Sequence, residues 1–563
     1  FTVGRPLIER IIKVSKAHNI TSIADFMSSR YGKNPLVAAT VTLIAMAGVL
    51  PYIALQLKAV SQSVIAVVRP GEYAPYLTIA DPFGGITLLI AIIMAAFAIL
   101  FGTRHVDATE HQNGLMLAVA TESIVKIAAF LIVGAFITYW LFGGFGPLIE
   151  RAAEYPDIIG LFAKGFEGGN WITVTFLSSV CILLLTRQFH VTIVENKSEH
   201  EVGRATWLFP FYLIAINIFV VPIAIAGLLT YPQGGVDPDM FPIALPLSNG
   251  AELITIIAFL GGLSAATAMV IVESVALSIM ICNDLIVPII LHRLKQNDGE
   301  RLYLGAMLLH IRRITIVAIL VMAYLFYRAV GDTYGLARIG LLSFAAIAQL
   351  APAFFGGLIW RGGTARGAIA GILAGFAVWG YTLLIPYFEQ AGIIDTYLMD
   401  EGPFGLKFLK PESILGLNID SLSHGVLWSM AINILVFVFV SKLRAPQAIE
   451  RLQANIFINK PLVRTNTPSS RTWRTSVTTG DLMRTVGRYL GEERAHRSFA
   501  DYAASRNMSL LPKAEADIHM LRFAENLLAS AIGAASSRLV MSLALRRHDV
   551  GMKPALKLLD DAS

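Results

Sequence analysis

Several ionisable and polar residues lie inside long apolar runs, where a charge is costly and a functional role is the default explanation. Glu273 is the sharpest case, because its run from Gly261 to Ser274 offers no basic partner nearby in sequence. An unpaired carboxylate in apolar surroundings suits a proton carrier or the binding of a cationic solute. A partner on another helix is the alternative, and the sequence leaves both open.

Hydroxyl groups accompany Glu273 on the same predicted helix, at Ser264, Thr267 and Ser274. Oxygen ligands of this kind suit a hard cation such as Na⁺. Ser and Thr in a helix also bond to the carbonyl one turn back, which is the structural alternative.

Two further apolar runs carry candidate solute-site residues. Gln56 follows Pro51 in the first run, and Lys58 lies close enough to the end of that run to reach the membrane surface. Glu122 and Lys126 are spaced i,i+4, so they lie on one helix face in the favourable order for an ion pair. A structural pair within the helix and a pair of binding groups are both compatible with this spacing.

Four residues are candidates for gating or packing. Gln188 and His190 close the fourth apolar run, and His190 either titrates near neutrality or packs within a loop. Pro51 and Pro352, like Pro222, interrupt apolar runs. Proline breaks a helix where it lines a cavity, or it produces only a packing kink.

These residues require membrane-spanning elements to position them. The chain of 563 residues is 55% hydrophobic and only 15% charged, which excludes an ordinary soluble enzyme. Continuous apolar runs favour helices over a β-barrel, so an all-α polytopic membrane protein is predicted. Ten spans are predicted, near residues 35–66, 84–103, 113–142, 171–189, 206–230, 251–283, 307–331, 335–359, 365–387 and 425–443.

Charge separates this body from a basic tail. Residues 444–563 hold 18 Lys and Arg against 11 Asp and Glu, whereas residues 1–443 are nearly neutral. Basic residues also concentrate in the loops on the side of the tail, which predicts a cytoplasmic tail. We expect a linker at 444–477, a small helical domain at 478–548 and a second linker from 549 to 563. The pattern indicates a lipid bilayer partner and no nucleic acid.

The tail has its own helix signals. Thr478 and Asp481 form a capping-box pattern, and Gly491 ends the helix that follows. A second amphipathic helix is predicted from Met520 to Leu543. Cys181 and Cys282 lie in apolar runs, with neither a disulfide framework nor metal-ligand spacing. Because the chain starts at Phe1, we expect a fragment of a longer protein.

The membrane part resembles the sodium:solute symporter family. The motifs that carry this resemblance are Ile20 to Phe26 with Arg30-Tyr31-Gly32, Gln188-Phe189-His190, Ser343-Phe344-Ala345, Pro352-Ala353, Trp360-Arg361 and Gly367-Ala368. The resemblance implies a leucine-transporter-like inverted-repeat bundle, truncated at its N-terminus by about three helices. It places the sodium-binding hydroxyl pair of the family on Ser264-Ala265, where one hydroxyl is lost. The coupling ion is therefore Na⁺ or H⁺, and no other cofactor is expected.

A narrower resemblance is to CbrA-type sensor histidine kinases, whose N-terminal half is symporter-like. It rests on Pro51 to Val60, on Arg187 to Val191 and on Trp207 to Pro210. Residues 481–539 of the tail resemble the STAC domain of such proteins. The resemblance implies transport and sensing of an amino acid, histidine by similarity, in a bacterial inner membrane. It also implies relay to a kinase outside this chain, which has no enzyme motif of its own. A transport-inactive receptor is the alternative.

Overall fold

The structure is a computed structural model of the whole chain. It describes residues 4–68, 85–102, 113–163, 168–232, 234–294, 304–330, 335–394, 397–417, 419–458, 477–506 and 511–546. Within these ranges the regular structure is helical, apart from one isolated β-bridge between Thr478 and Glu515. The predicted all-α membrane fold is confirmed.

The helices are numbered in chain order. They begin with α1 Arg5–Ala17, α2 Ile23–Arg30, α3 Pro35–Val68, α4 Gly85–Gly102, α5 Asn113–Ala135, α6 Phe145–Ala153, α7 Pro156–Ala163, α8 Gly168–Leu184, α9 Thr186–Phe189, α10 Glu199–Asn217, α11 Val220–Thr230, α12 Phe241–Ser248, α13 Glu252–Met280 and α14 Val287–Leu294. They continue with α15 Leu304–Val330, α16 Leu336–Ala348, α17 Ala351–Ile359, α18 Ala365–Trp379, α19 Ile385–Gln390, α20 Tyr397–Asp400, α21 Ser421–Leu443, α22 Ala448–Ile458, α23 Thr479–Leu490, α24 Glu492–Ser505, α25 Ile518–Ile532 and α26 Ala534–Arg546.

Shorter elements connect or extend these helices. π-Helical turns occupy Phe136–Leu141, His190–Val194, Ile281–Ile286 and Gly380–Leu384. Short 3₁₀ helices occupy Pro238–Met240, Pro403–Gly405, Lys407–Leu409 and Ile414–Gly416. The π-helical turns matter because such insertions often occur at functional sites.

In the described part of the chain, eight helical segments are long and apolar enough to cross a bilayer. Two bent helix pairs raise the number to ten, at the ten predicted positions. The pair Gly169–Leu184 and Thr186–Val194 meets at 51°, and the pair Leu336–Ala348 and Ala351–Ile359 meets at 41°. Large exposed apolar side chains such as Trp207 and Leu435 lie on the spans, as lipid contact requires.

The positions of the bends differ from those expected from proline. Pro51 lies inside the continuous helix α3, and Pro222 lies in the first turn of α11. Only Pro352 adjoins a strong bend, at the start of α17. The other strong bend is at Leu185, whose extended backbone has φ −59° and ψ 133°. Gln188 and His190, predicted to close the fourth run, lie in the second half of this bent span, which continues to Val194.

Gly371 and Gly375 of α18 pack directly against α21. A Cβ at Gly371 would lie 2.7 Å from the Cβ of Phe437, and a Cβ at Gly375 would lie 2.7 Å from the Cβ of Asn433. Glycine is therefore required for the close approach of these helices.

The tail helices α23–α26 follow the predicted start and stop signals, with one exception. The capping box of Thr478 and Asp481 is present, and Gly491 ends α23 with φ +93°. The single helix predicted from Met520 to Leu543 is wrong, because Gly533 at φ +77° divides it into α25 and α26. Part of the predicted 444–477 linker is also helical, since α22 packs its fully buried Phe457 into the bundle. Residues 459–476 and 547–563 lie outside the described residues.

The tail is docked onto the bundle through a shared apolar core. Leu521 and Leu528 of α25 belong to the same cluster as Cys282, Val287 and Leu308 of the spans. We call the end of the bundle that meets these helices the tail end.

Candidate functional site

Glu273 lies near the middle of the Glu252–Leu291 span and is only 1% exposed. Neither of its carboxylate oxygens has a hydrogen-bond partner among the described residues. Leaving a buried polar group unsatisfied is costly, more so when it can carry a charge. A structural role that offsets this cost would require partners, so the observation favours a functional role.

Arg187 faces Glu273 from the first turn of α9. The bend at Leu185 leaves the backbone N–H groups of this turn without intrahelical acceptors. The guanidinium and the backbone N–H of Arg187 both act electrostatically on the Glu273 carboxylate. Arg187 is therefore a cationic neighbour of Glu273 on another helix, but the two side chains form no ion pair among the described residues.

Tyr52 completes this part of the site from α3. Its hydroxyl donates to the sulfur of Met269 at 3.4 Å, which ties α3 to α13. Tyr52 also interacts electrostatically with Arg187 and Glu273. Gln56 lies one turn further along α3 and is buried, at 9% exposure. Pro51 is buried beside Tyr52 and does not bend the helix.

Glu122 and Lys126 lie on α5 and are both half-buried. Among the described residues they form no direct ion pair, so the intrahelical pair favoured by their spacing is wrong. The ammonium of Lys126 instead lies 5.7 Å from the centre of the Tyr212 ring. Lys126 interacts electrostatically with both Arg187 and Glu122. The two residues therefore retain polar groups that a ligand could use.

We call Tyr52, Glu122, Lys126, Arg187 and Glu273 the polar cluster. Its members come from four helices, α3, α5, α9 and α13, and Arg187 interacts electrostatically with Tyr52, Lys126 and Glu273. The cluster carries two carboxylates and two cations. Arg187 and Tyr52 were not predicted as site residues from the sequence. The bend at Leu185, which positions Arg187, has no proline or glycine to mark it.

The hydroxyls of α13 have different roles. Ser264 donates to the backbone carbonyl of Glu122 at 3.4 Å, and Thr267 donates to the carbonyl of Leu263 at 2.7 Å. Thr267 therefore bonds one turn back, as the structural alternative predicted, whereas Ser264 bonds to a carbonyl on another helix, α5. Ser274 is fully buried, and its hydroxyl has no partner among the described residues. Ser274, the next residue after Glu273, therefore has a hydroxyl that forms no hydrogen bond within the described part of the chain.

Three of the four gating candidates, Gln188, His190 and Pro352, lie in the two bent spans, whereas Pro51 lies in the continuous helix α3. His190 is 2% exposed, and its Nε2 lies 3.5 Å from the carboxylate of Glu195, also buried. Gln188 is half-buried in α9. The burial of His190 agrees with the packing alternative, although His190 lies in a π-helical turn rather than in a loop. Lys58 is only 1% exposed, so its predicted extension to the membrane surface is wrong.

The second bend, next to Pro352, is held by side-chain amides. Asn433 donates to the backbone carbonyl of Gln349 at 2.7 Å and to its side-chain oxygen at 3.1 Å. Gln349 in turn donates to Ser429 at 2.9 Å. All three residues are fully buried. These bonds replace backbone pairing that the bend removes, which keeps the bend stable inside the bundle.

Fold and site together define a polytopic helical membrane protein with a charged cluster at a break in a span, an arrangement that transporters use. No family model matches the chain. Over 372 residues it is 21% identical to a Bacillus subtilis (strain 168) protein named uncharacterized symporter YodF, covering 66% of this chain and 68% of the relative. It is also 21% identical over 243 residues to uncharacterized symporter YhjB of the same organism. That match covers 43% of this chain and 45% of the relative, less than half of its length.

One solved structure that aligns with this chain is the substrate-bound outward-open state of a Na⁺-coupled sialic acid symporter. The alignment has a TM-score of 0.45 and 13% identity, and it covers 79% of this chain and 84% of the other. At these values the likeness carries no conclusion about solute or coupling ion. The chain is thus similar to proteins named as symporters, and the inverted repeat stays a prediction.

Proposed function

We propose that this chain is the membrane part of an ion-coupled secondary transporter for a small solute. The observation that carries the proposal is Glu273, a fully buried carboxylate that has no hydrogen-bond partner among the described residues and faces Arg187 at a broken span. Similarity to two proteins named symporters supports the same class.

Glu273 is the proposed coupling group. Ion coupling requires a site that changes its charge or its ligand during each cycle, and an unpaired buried carboxylate can do so without breaking structural bonds. Ala265 replaces one hydroxyl of the pair that binds sodium in the family that the chain resembles, so proton carriage by Glu273 is favoured over a sodium site at Ser264. Ser274 is the proposed hydrogen-bond partner of the occupied carboxylate.

The proposed solute is an amino acid, with histidine suggested by the family resemblance. A zwitterion needs both a cationic and an anionic partner, and the polar cluster provides Arg187 and Lys126 together with Glu122 and Glu273. A guanidinium suits a carboxylate because its donors match the two oxygens. In this proposal Arg187 binds the solute carboxylate, and solute binding alters the bend at Leu185.

The proposed role of the tail is to sense solute occupancy. Its similarity to the STAC domain supports a relay to a kinase outside this chain, with the protein in a bacterial inner membrane and the tail in the cytoplasm. The buried contacts between α25, α26 and the spans support a tail that responds to the state of the bundle.

A receptor that binds solute without transporting it is the second candidate. The observation that favours it is the α13 hydroxyl pattern, in which Ala265 replaces one hydroxyl and Ser264 is engaged elsewhere.

The test is uptake of a ¹⁴C-labelled amino-acid mixture by proteoliposomes that contain the full natural chain. We expect accumulation above that of empty vesicles under an inward proton gradient or an inward Na⁺ gradient. The two gradients, applied separately, identify the coupling ion. Absence of uptake under both would reject transport, and calorimetric binding of an amino acid in the same preparation would then select the receptor.

A further inference from the structure

The short helix α2 lies between both bent spans and the tail. It is only eight residues long, and its side chains are buried from Ile23 to Arg30. A helix of this length gains little stability on its own, so its contacts hold it in place. These contacts fall into two sets, one with the spans and one with the tail.

The contacts with the spans reach the second half of each bent pair. The Phe26 ring packs against Phe189 at 5.8 Å, beside the first bend, and against Phe354 of α17 at 5.1 Å. Tyr31, directly after α2, donates its hydroxyl to the carbonyl of Ala353 at 2.6 Å. Arg30 donates to the carbonyl of Trp360 at 2.9 Å. A change in either bend therefore displaces groups in direct contact with α2.

The contacts with the tail begin at Asp25. Its carboxylate accepts a hydrogen bond of 2.7 Å from the backbone N–H of Ala534, the first residue of α26. The same carboxylate accepts from the N–H of Thr21 at 3.0 Å. A carboxylate at a helix N-terminus satisfies an unpaired N–H and interacts favourably with the helix dipole. Asp25 therefore fixes the position of α26 relative to α2.

Two residues on either side of α2 bind the other tail helix, α25. Lys33 forms a buried ion pair of 2.9 Å with Glu525, with side-chain exposures of 7% and 2%. Asn19 donates to the carbonyl of Asn526 at 3.1 Å. Both Asn19 and Lys33 adopt positive φ, +49° and +54°. This conformation is unfavourable for lysine, so the contact with Glu525 is maintained against a local backbone cost.

We propose that α2 is the transmission element that couples the bends of both broken spans to the orientation of the tail helices α25 and α26. The inference rests on the proposed relay of solute occupancy through the tail. The inference adds the structural path from the spans to the tail. In this path α2 moves as a rigid body, because its contacts with the spans and its contacts with the tail are only one or two helical turns apart. A second connection, from Arg312 of α15 to the carbonyl of Ala531 at 3.2 Å, reaches the tail without α2.

The test is hydrogen–deuterium exchange of the full natural chain in nanodiscs, with no solute added. Two variants break tail contacts of α2 from the tail side: Glu525→Gln weakens the pair with Lys33, and Ala534→Pro removes the N–H donated to Asp25. Proline is tolerated at the first position of a helix, so α26 itself is preserved. The matched control is Arg312→Gln, which weakens a tail contact that bypasses α2.

We expect both variants to accelerate exchange in α25 or α26 by about tenfold, as loss of a charged hydrogen bond implies. We also expect exchange in α17, which neither mutated residue contacts, to accelerate by about threefold because local stability is shared within a cooperative unit. Arg312→Gln should accelerate exchange in the tail alone. An unchanged α17 in both variants, or an equal change in the control, would overturn the proposal.

A reciprocal pair tests the opposite direction. Tyr31→Phe removes the hydroxyl donated to Ala353 and should accelerate exchange in α25. Arg10 of α1 also donates to a carbonyl of α17, that of Leu358, at 3.1 Å, so Arg10→Gln is the control and should leave α25 unchanged. Because no solute is used, a negative exchange result rejects the α2 route alone, and failure of the uptake assay rejects transport alone.

Discussion

The polar cluster and the junction between α2 and the tail both contain buried carboxylates, but these carboxylates differ in their hydrogen bonding and ion pairing. Glu273 has no hydrogen-bond partner for either oxygen in the described residues. Asp25 accepts bonds from Ala534 and Thr21, and Glu525 is paired with Lys33. Buried polar groups that are fully satisfied specify one arrangement, whereas partly satisfied ones cost stability. The difference indicates that the junction fastens two parts of the protein and that the cluster is prepared for a ligand.

The largest expected effect is on uptake. Glu273→Gln keeps the shape of the side chain and removes its charge and proton exchange, so gradient-driven uptake should fall to the level of empty vesicles. The matched control is Glu252→Gln, on the same helix but exposed, which should retain uptake. The measurement is initial rate in proteoliposomes at equal protein content. Uptake retained in Glu273→Gln would show that the carboxylate of the polar cluster is not needed for transport, so the proposed functional difference between the cluster and the junction would not hold.

The next effect is on the stability of the junction. Lys33→Met leaves Glu525 buried without its cation and should lower the free energy of unfolding by about 3 kcal/mol. The double variant Lys33→Met with Glu525→Met should recover most of this loss, because it replaces the whole pair by apolar groups. Thermal unfolding of the two variants measures both values. A single variant as stable as the natural protein would show that the pair does not fasten the tail.

The stability of the junction should depend on pH, and two variants should change this dependence in opposite directions. Burial raises the pKa of Asp25 to about 6, against hydrogen bonds from Ala534 and Thr21 that lower it. Burial, with Lys33 and Arg522, lowers the pKa of His18 to about 4. The Asp25 contribution to stability therefore falls as pH rises from about 4 to about 6. The His18 contribution rises over nearly the same interval.

These opposing contributions can be separated. Asp284, which interacts electrostatically with Asp25, titrates in both variants. Relative to the natural protein, stability should fall more steeply with rising pH in His18→Asn and less steeply in Asp25→Asn. Melting temperatures recorded between pH 4.5 and pH 7 give the slopes. Slopes in the reverse order would contradict the assignment of the two groups.

The smallest effect should come from a contact in neither region. Thr478→Ala removes the capping box at the start of α23 and should cost about 1 kcal/mol. Uptake and exchange in α17 should stay unchanged, because the main packing partners of α23 are α24, α25 and α15 rather than α2 or α17. A loss of uptake in this variant would show that general tail stability, rather than the α2 junction, affects the bundle.

Much of the fold could be predicted from local signals. Apolar runs located all ten spans, and the capping box of Thr478 located α23. The bend at Leu185 was missed because no proline or glycine marks it, and its cause lies in tertiary contacts. The stop at Gly533 was missed because the apolar stripe of α25 and α26 continues across it.

The candidate site was less predictable than the spans. Glu273 stood out because a charge in an apolar run is visible in sequence. Its relation to Arg187 depends on two helices that are far apart in the chain, which no local pattern encodes. The i,i+4 spacing of Glu122 and Lys126 predicted an ion pair, but Tyr212 from a third helix provides a competing site for the ammonium.

The most direct test of the central claim is the melting temperature of Glu273→Gln, measured beside Glu525→Gln under identical conditions. If Glu273 is held for a ligand rather than for the fold, removing its charge should leave the melting temperature unchanged or raise it. Glu525→Gln should lower it. A decrease in Glu273→Gln as large as that in Glu525→Gln would show that Glu273 stabilises the bundle, and it would contradict the account.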